Sequence, residues 1–586
     1  MTGAATTLWA RSFVDELARQ GVREVALSPG SRSTPLVMAL AGDDRFRVRV
    51  HLDERSAAFF ALGVGKASGR PAVVVTTSGT AAVNVFPAVV EASAAAVPLL
   101  VLTADRPHHL RDADANQAID QVHLYGRYVR RFFEAAPPVM DGPALRHLRT
   151  LAGRAVAAAV GPTAGAVHVN FPFDKPLEPS PPPGDFLAEH PLAAHGRPDG
   201  APFVRISTGR RGADPGQVDA LVGALDSPAG VIVAGPGSEP ARTGPAVLEL
   251  AARTGFPVLA DPLSGARYGP ALGAQRVSAY DLFLDEPGAA DRLRPSVIVR
   301  VGASPTSATT QRWLARHNGV DHIVIDGESR WKDHGATATL YINADAASTL
   351  AAASARLSVS ATADWRNGWA AAEAAALAAL AADEGSAHEG DVLAAVGAAA
   401  PAGSTLFVSN SMPVRDLDSF AHPREEPWEV LGNRGASGID GIVSTAFGIA
   451  SQRDEPIVCV IGDLAFFHDQ NGLLWTREGD ARVVFVLVDN DGGGIFHMLP
   501  IAGHEPHFTR YFATPHGLDL RGAADMHGID FRDTAIAGLA AELSGALSEA
   551  CTVVLRVRTD RDSGHARRGE LRDAVRRAVA HALRDR

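Results

Sequence analysis

The sequence predicts an α/β protein with three domains, each a doubly wound parallel sheet covered by helices on both faces. Short apolar runs recur along the chain, and each is followed by a Gly, Ser or Pro turn and a longer helical stretch. This alternation is typical of parallel sheets. The length of 586 residues is sufficient for about three to four domains. With 46% hydrophobic and 21% charged residues, each domain can bury a core of its own.

The three predicted domains comprise residues 1–184, 202–356 and 365–586. A proline-rich stretch at 179–184 indicates a linker after the first domain, and an alanine-rich helical stretch at 365–382 opens the third. The predicted strands are 24–27, 73–76, 99–103 and 166–170 in the first domain, 230–234, 257–260, 296–301 and 322–326 in the second, and 405–408, 457–461, 483–488 and 552–557 in the third.

Charge and composition exclude several classes of function. A net charge of -11 argues against a general nucleic-acid partner, whose phosphates would be repelled. Neither Cys459 nor Cys551 has Cys/His metal spacing around it, and Cys459 lies in an apolar run that predicts a buried thiol. The arginine-rich end of the chain, 567–586, is expected to be a solvated helix. We expect neither a signal peptide nor a membrane span, and therefore a cytoplasmic location.

Oxygen-bearing side chains follow two predicted strands of the third domain. Asp463 comes after the strand 457–461 and one glycine, and Asn490 follows the strand 483–488. Because the carboxyl ends of parallel strands meet at one edge of a sheet, we expect these side chains to lie close together. With a turn carbonyl they present the hard oxygen ligands that Mg²⁺ accepts beside phosphate oxygens. Asp and Asn are also ordinary turn residues, and the spacing alone favours neither interpretation.

Glu54 stands at the start of an apolar helical stretch in the first domain. A carboxyl group there is expected to be partly desolvated, which suits a group that exchanges protons during catalysis. A helix-capping or salt-bridged surface glutamate is the alternative interpretation. Two glycine turns, 76–84 and 234–238, offer N–H groups to an anion, although the second lacks the third glycine of a dinucleotide fingerprint.

The third-domain pattern resembles the diphosphate–magnesium motif of thiamine-diphosphate enzymes. The resemblance rests on the Gly462-Asp463 pair, on Asn490, and on the run Asp-Gly-Gly-Gly at 491–494. Many relatives have glycine where Leu464 stands, a departure that points within the superfamily. The resemblance implies a pyrimidine-binding first domain, a central Rossmann-like domain and a diphosphate-binding third domain.

This resemblance implies thiamine diphosphate as cofactor together with Mg²⁺, or Mn²⁺, held by Asp463, Asn490 and Gly492. It also implies that Glu54 exchanges a proton with N1′ of the cofactor's aminopyrimidine. In such enzymes the pyrimidine-binding domain of one subunit faces the diphosphate-binding domain of another. We therefore expect self-association, as a homodimer or homotetramer, with the active site at the subunit interface.

Longer motifs narrow the family. Ser-Pro-Gly-Ser-Arg-Ser at 28–33 and Asn-Arg-Gly-Ala-Ser-Gly-Ile-Asp-Gly at 433–441 are specific, and shorter matching segments lie at 103–108, 116–119, 409–415 and 494–496. Together they closely resemble the 2-succinyl-5-enolpyruvyl-6-hydroxy-3-cyclohexene-1-carboxylate synthases, which are transferases of menaquinone biosynthesis. The resemblance is strong in the first and third domains and weak in the second. It implies decarboxylation of 2-oxoglutarate and addition of the resulting succinic-semialdehyde carbanion to isochorismate.

The arginines agree with such substrates on independent grounds. Both substrates are dicarboxylates, and a guanidinium fork matches a planar carboxylate. Four arginines lie in glycine- or proline-marked turns beside predicted strand ends, where pockets form: Arg32, Arg106, Arg415 and Arg434. Each alone is more typical of a protein surface.

The resemblance assigns roles to individual positions. The implied catalytic residues are Glu54, Gln117, Arg32, Arg106, Arg415 and Arg434. The isochorismate side is implied to use Ser31, Arg32, Arg106, Asn116 and Gln117, while Ser411 and Arg415 hold the distal carboxylate of 2-oxoglutarate and Phe496 adjoins the substrate. The implied cofactor contacts are Glu54, Thr80, Asn410, Ser411, Ile439, Asp440, Gly441, Asp463, Leu464, Asn490, Ile495 and Phe496. Among them Ile439 is the apolar wedge under the cofactor, and Ile495, Phe496 and Leu499 form a dry wall that favours loss of CO₂.

One departure from the family concerns isochorismate. Some relatives carry a Lys-Arg pair in the central domain, whereas 306–310 has no basic residue and Arg312 follows. Either Arg312 substitutes, or the N-terminal arginines alone hold the ring carboxylate. His108, His109 and His123 are expected to be structural or solvated rather than catalytic.

Two other functions compete with this interpretation. The chain is alternatively another thiamine-diphosphate decarboxylase or carboligase that acts on a simpler 2-oxo acid such as pyruvate, which would not need Arg415 together with Arg434. The second alternative is a non-catalytic protein with the same fold, which binds the cofactor or has a regulatory role. A degenerate chain of that kind is expected to have lost Glu54 or a magnesium ligand, and this sequence has both.

Overall fold

The computed structural model describes residues 3–328, 330–479 and 481–584. Within these ranges the strands form three six-stranded sheets, and all the paired strands run parallel. Helices connect most of the successive strands. The predicted fold class, three doubly wound parallel sheets, is confirmed.

The strands are short and are numbered here in the order in which they occur along the chain. They are β1 Glu24–Leu27, β2 Arg47–Val50, β3 Ala72–Thr76, β4 Leu99–Asp105, β5 Arg131–Glu134, β6 Ala166–Pro172, β7 Gly230–Ala234, β8 Val258–Ala260, β9 Arg276–Val277, β10 Val297–Val301, β11 Asp321–Ile325, β12 Leu340–Ile342, β13 Thr405–Val408, β14 Glu429–Leu431, β15 Ile457–Gly462, β16 Val483–Asp489, β17 Asp530–Thr534 and β18 Val553–Arg558.

The α-helices alternate with these strands. They are α1 Gly3–Arg19, α2 Thr34–Ala41, α3 Glu54–Ser68, α4 Thr80–Asn84, α5 Phe86–Ala95, α6 Gly142–Val160, α7 Gly184–Glu189, α8 Pro191–His195, α9 Pro215–Leu225, α10 Pro240–Thr254, α11 Tyr280–Phe283, α12 Pro287–Arg292, α13 Ala308–Arg316, α14 Ala346–Ser354, α15 Ala363–Ala381, α16 Glu389–Ala399, α17 Met412–Phe420, α18 Ile442–Ala450, α19 Asp463–His468, α20 Arg521–Met526, α21 Ile536–Leu547 and α22 Arg561–Arg584. Shorter 3-10 segments include Gln470–Glu478 and Gly494–Met498, and a π-helical turn covers Thr509–Ala513.

The strand order explains which strands the sequence predicted. The orders are β2-β1-β3-β4-β6-β5, β12-β11-β10-β7-β8-β9 and β14-β13-β15-β16-β18-β17. The four inner strands of each sheet were all predicted to within two residues at either end, and both edge strands of each sheet were missed. Inner strands are buried on both faces and read as apolar runs, whereas an edge strand such as β2, Arg-Val-Arg-Val, is partly exposed and polar.

Residues up to 209, together with 434–454 and 468–482, form one compact unit around the first sheet. The helices α1, α2, α6 and α8 share a buried core with one face of this sheet, in which Trp9, Phe13 and Phe171 are fully enclosed. On the other face α3 packs against β1, β3 and α5, and also against α18. This packing joins a helix of the third sequence block to the unit built by the first block.

A second compact unit contains the central and third sheets, from residues 210–433, 455–467 and 483 onwards. Buried cores follow both sheets, one around β7, β10 and β11 and another around β13, β15 and β16. The predicted domain limits, 1–184, 202–356 and 365–586, stay predictions.

The last helix corrects one expectation. In α22 the side chains Leu571, Val575, Val579 and Leu583 are buried and pack against α15. The arginine-rich end of the chain is therefore a helix with one apolar face in the core, rather than a solvated one.

Two further expectations concerned the reactivity of Cys459 and the presence of a membrane-spanning helix. Cys459 is buried in β15, and burial raises the pKa of its thiol, which keeps it unreactive. Among the helices of the described residues, none is both long and apolar enough to cross a membrane.

Candidate active site

The carboxyl edge of the first sheet collects most of the residues predicted in the first block. Neighbouring strands β2, β1, β3 and β4 all end at this edge because the sheet is parallel. The loops after them carry, in this strand order, Glu54, Arg32, Thr80 and Arg106. The local sequence provides turns at these points, since β1 is followed by Pro-Gly-Ser and β3 by Ser-Gly.

Glu54 is the first residue of α3, and its side chain is partly buried. Asp53 caps this helix, and its carboxylate accepts hydrogen bonds from the backbone N–H groups of Arg55 and Ser56. Asn84 Nδ2 lies 3.4 Å from Glu54 Oε2. Because Asp53 carries the capping role, Glu54 is not needed as the helix cap, which was the alternative interpretation of its position.

The start of α3 is held by the segment around Asp469. The Asp469 carboxylate is fully buried and accepts a hydrogen bond of 2.7 Å from the Ser444 N–H and one of 3.4 Å from Ser56 Oγ. Asn471 Nδ2 donates to Asp53 Oδ2 at 3.1 Å. Burial raises the pKa of Asp469 to about 6. Glu54 therefore stands on a helix end that is fixed by several polar contacts.

Arg32 and Arg106 bring two guanidinium groups into one neighbourhood. Arg32 is buried, with 5% of its surface exposed, and its Nη1 donates to the carbonyl of Phe173 at 2.8 Å. The pKa of Arg32 is lowered by burial and further by the positive charge of Arg106. Within the described part of the chain, no partner accepts a hydrogen bond from Arg32 Nε. The carboxylates of Asp174 and Asp105 oppose this lowering, and a bound anion would oppose it further.

A turn at Asn116 and Gln117 adjoins these arginines. Arg106 donates from Nε and Nη2 to the Asn116 carbonyl, at 3.2 and 2.6 Å. Gln117 Nε2 donates to the Ser78 carbonyl at 3.1 Å, and Ser78 Oγ donates in return to the Gln117 carbonyl at 2.9 Å. The backbone of Gln117 has a φ of 58°, a conformation that costs free energy for a non-glycine residue. The structure thus places Arg106, Asn116 and Gln117 together, and Ser31 lies exposed next to Arg32.

The segment 434–441 belongs to the same compact unit as Glu54. The Glu91 carboxylate accepts hydrogen bonds from the N–H groups of Gly435 and Ala436, at 2.9 and 2.6 Å. Gly441 precedes α18 with a φ of 66°, and a Cβ there would lie 1.9 Å from the Phe59 ring of α3. Only glycine permits this approach. These contacts fix the loop on which Arg434, Ile439 and Asp440 lie, all three partly buried.

The carboxyl edge of the third sheet carries the predicted metal ligands. Strands β13, β15 and β16 are neighbours, and the order of connection reverses between β13 and β15. Crevices at such reversals are where α/β sheets bind ligands. Asn410 and Ser411 follow β13, Asp463 follows β15, and Asn490 follows β16.

Asp463 is buried, with 2% of its surface exposed. Its Oδ1 accepts from the Leu464 N–H at 2.6 Å, and its Oδ2 accepts from the Gly492 N–H at 2.9 Å. Burial raises the pKa of Asp463, against the opposing influence of these N–H groups and of His516. A cation bound to this carboxylate would reverse the effect of burial.

The side-chain amide of Asn490 has a hydrogen-bonded nitrogen and an oxygen available to a ligand. Its Nδ2 donates to Glu389 Oε1 at 2.6 Å, and among the described residues no group donates to its buried Oδ1. Buried acceptors in native proteins are nearly always satisfied, so this oxygen is suited to bind a ligand. Together with the Asp463 carboxylate it supplies the hard oxygens that Mg²⁺ prefers. The residues present therefore fit a divalent cation.

Three residues near this edge were not predicted as part of the site: Asp489, His516 and Glu389. An oxygen or nitrogen of Asp463, Asp489 and His516 lies within 4.8 Å of the other two. His516 Nδ1 accepts from the Leu518 N–H at 3.0 Å, so Nε2 carries the proton and lies 3.3 Å from Asp463 Oδ2. The position of Asp489 beside Asn490 was a visible signal, whereas nothing in the sequence near His516 or Glu389 indicates the site.

Asn410, Ser411 and Arg415 form a connected turn. Asn410 Nδ2 donates to the carbonyl of Asn433 at 2.7 Å, and Arg415 Nη1 donates to the carbonyl of Ser411 at 2.6 Å. Ser411 has a φ of 68°, again a costly conformation for a non-glycine residue. Strain of this kind concentrates at functional turns.

The predicted apolar wall is only partly enclosed. Ile495 and Phe496 are half-buried in the 3-10 segment, and the rings of Phe496 and Phe512 meet edge to face with centroids 5.8 Å apart. Leu499 is 48% exposed. In the central sheet region, Arg312 Nη2 pairs with Asp285 Oδ2 at 3.1 Å.

Comparison with known proteins first defines the class. The family described as "Thiamine pyrophosphate enzyme, N-terminal TPP binding domain" matches residues 9–124, "Middle domain of thiamine pyrophosphate" matches 219–408, and "Thiamine pyrophosphate enzyme, C-terminal TPP binding domain" matches 418–557. A solved benzoylformate decarboxylase from Polynucleobacter necessarius has a similar fold, with a TM-score of 0.70, 16% identity, and coverage of 94% of this chain and 98% of that one. Fold and domain content are those of a thiamine-pyrophosphate enzyme.

Sequence relatives then define the family. A 2-succinyl-5-enolpyruvyl-6-hydroxy-3-cyclohexene-1-carboxylate synthase of Halobacterium salinarum is 47% identical over 97% of this chain and 98% of its own length. Synthases of the same name from Haloquadratum walsbyi and Roseiflexus castenholzii are 43% and 44% identical, each over 97% of this chain and 98% of its own length. The chain belongs to this family of enzymes. The predicted resemblance is confirmed, and the roles assigned to individual residues stay predictions.

Proposed function

We propose that this enzyme decarboxylates 2-oxoglutarate and joins the remaining four-carbon unit to isochorismate. The products are CO₂ and 2-succinyl-5-enolpyruvyl-6-hydroxy-3-cyclohexene-1-carboxylate, in menaquinone biosynthesis. The observation that carries this proposal is the neighbourhood of the buried Arg32 and the partly buried Arg106, whose two guanidinium groups favour an anionic ligand at the edge that also carries Glu54. The specific reaction is proposed from the name that the sequence relatives carry.

The third-sheet edge is proposed to bind the cofactor. Asp463, Asn490 and the carbonyl of Gly492 would hold Mg²⁺, and Mn²⁺ suits the same oxygens. Thiamine diphosphate, when bound, supplies the carbon nucleophile that reacts with the 2-oxo group. The further contacts proposed for it are Thr80, Asn410, Ser411, Ile439, Asp440, Gly441, Leu464, Ile495 and Phe496.

The chain's own acid–base and anion-binding groups complete the proposal. Glu54 is proposed to hold and release a proton at the aminopyrimidine N1′, which a carboxyl group on a fixed helix end is suited to do. Ser411 and Arg415 bind the distal carboxylate of 2-oxoglutarate, and Arg434 contacts an anion near the cofactor. Arg312 is paired with Asp285, which supports the option in which Arg312 does not bind isochorismate. On that option the N-terminal arginines, with Ser31 and the turn at 116–117, hold the ring carboxylate.

Assembly and location follow from the family. The enzyme is proposed to self-associate, as a dimer or tetramer, with Glu54 of one subunit facing the metal site of another. A cytoplasmic location is proposed with it, since both substrates are small soluble dicarboxylates.

The proposal is tested by a direct assay. Pure protein is incubated with thiamine diphosphate, Mg²⁺, 2-oxoglutarate and isochorismate, and the loss of isochorismate is followed together with the release of CO₂. We expect equal amounts of both. Turnover of pyruvate without consumption of isochorismate would contradict the proposal and favour a simpler 2-oxo-acid decarboxylase.

A further inference from the structure

The Asn490 amide has a defined orientation, and the cause lies outside the strand-end motif. Its Nδ2 lies 2.6 Å from Glu389 Oε1, although Glu389 is 101 residues away along the chain. A carboxylate oxygen can only accept a hydrogen bond, so the amide atom facing it must be the NH₂ group. The amide oxygen is thereby turned away from Glu389. Among the described residues it has no other hydrogen-bond partner.

Glu389 is itself a fixed acceptor. It is the first residue of α16, is 8% exposed, and lies within a capping box formed by His388 and Asp391. Thr559 Oγ1 donates to the same Oε1 atom at 3.1 Å. A buried side chain with two donors directed at one oxygen has little freedom to rotate.

The backbone of Asn490 is fixed from the opposite side. Arg561 Nη1 donates to the carbonyls of Asn490 and Asp491 at 2.9 and 2.7 Å, and the Thr559 N–H donates to the carbonyl of Asp489 at 2.9 Å. The remaining freedom of Asn490 is rotation of its amide. Without Glu389 the NH₂ group and the oxygen would exchange places at little cost, and an N–H directed at a cation is repelled.

We propose that Glu389 is a positioning residue for the divalent cation, because its hydrogen bond from Asn490 Nδ2 selects the amide orientation that offers Oδ1 to the metal. The inference rests on the proposed Mg²⁺ site. Groups that orient metal ligands typically change metal affinity by about 10- to 100-fold when removed.

The experiment measures cofactor binding rather than turnover. Thiamine diphosphate binding to the full-length protein is followed by titration calorimetry at increasing Mg²⁺ concentration, without substrate. For Glu389→Ala we expect the half-saturating Mg²⁺ concentration to rise by about 10- to 100-fold. For Glu389→Gln, whose amide oxygen accepts from the same Nδ2, we expect a rise of no more than about 3-fold.

A matched control removes a carboxylate at the amino end of a strand in the third sheet, whereas Asn490 lies at the carboxyl edge of that sheet. Glu429 on the edge strand β14 accepts from Thr405 Oγ1 at 2.7 Å, and Glu429→Ala should leave the Mg²⁺ dependence unchanged. Circular dichroism confirms that each variant is folded. A folded Glu389→Ala protein with the Mg²⁺ dependence of the wild type would overturn the inference while leaving the cofactor site intact. Absence of Mg²⁺-dependent cofactor binding in the wild type would instead contradict the proposed function itself.

Discussion

The carboxyl edges of the first and third sheets are built in the same way, from loops that follow parallel strands, but they favour ligands of opposite charge. At the first edge, the loops after β1 and β4 place the guanidinium groups of Arg32 and Arg106 near each other. At the third edge, the loops after β15 and β16 place the Asp463 carboxylate and the buried Asn490 amide oxygen, to which no group donates in the described part of the chain. The parallel sheet provides the same frame in both cases. A few side chains after the strands decide whether an edge requires an anion or a cation.

Burial acts on both edges in the same way. It lowers the pKa of Arg32 and raises the pKa of Asp463, so in each case it disfavours the charged form. A bound ligand of opposite charge opposes this effect of burial. The comparison therefore predicts that substitutions at one edge affect one kind of ligand and spare the other.

The largest effect is expected from Asp463→Ala. Loss of this carboxylate removes the charged ligand of the proposed metal site, so Mg²⁺-dependent binding of thiamine diphosphate should weaken by more than about 100-fold, and turnover should fall with it. Titration calorimetry measures the binding directly.

Arg32→Ala is the control for this prediction, because Arg32 lies at the other edge. It should retain cofactor binding within about 3-fold. If both variants lost cofactor binding to the same degree, the two edges would not be functionally distinct.

A loss of turnover of at least about 100-fold is expected for Glu54→Gln, the usual contribution of a positioned proton-transfer group. Glutamine has the same shape but exchanges no proton, so cofactor affinity should change much less than the maximal rate. Steady-state kinetics with separately measured cofactor binding checks this split. Near-normal turnover would remove Glu54 from the mechanism.

The two anion sites should be separable. Charge-assisted hydrogen bonds contribute about 1.5–3 kcal/mol, so Arg106→Ala should raise KM for isochorismate by about 10- to 100-fold. Arg415→Ala should do the same for 2-oxoglutarate. Each variant is the control for the other, and equal effects on both substrates would mean that the anion sites are assigned wrongly.

The smallest effect concerns stability and pH. The folded-state pKa of Asp469 is raised from 3.8 to about 6, so its contribution to stability is present below pH 4 and is lost as pH rises through 6. Asp469→Asn cannot ionise and should lack this contribution to the pH dependence. Between pH 4 and pH 6 the free energy of unfolding of the wild type should fall by up to about 3 kcal/mol relative to that of the variant.

This difference is measured by calorimetric melting at several pH values. The charged groups nearest to Asp469 are Arg55 and Asp53, and both are the same in the two proteins. Melting temperatures that fall in parallel between pH 4 and 7 would contradict the prediction.

The sequence predicted the inner strands and the strand-end motifs, and physical reasons explain what it missed. Edge strands such as β17, Asp-Phe-Arg-Asp-Thr, are half-exposed and lack the continuous apolar run of a buried parallel strand. Asp463 and Asn490 were predictable because each directly follows an apolar strand. Glu389 and Asp469 reach their partners through the tertiary fold, so no local pattern marks them.

The chain's path between its two compact units has a consequence for protein engineering. The segments 434–454 and 468–482 belong to the first unit, while Asp463 between them belongs to the second. A truncated protein ending near residue 209 would lack α18, and the face of α3 that α18 covers would be exposed to water. The first sequence block is therefore not an autonomous module. Domain swaps or split reporters that cut the chain after the first block should yield insoluble fragments, although that block carries a complete sheet.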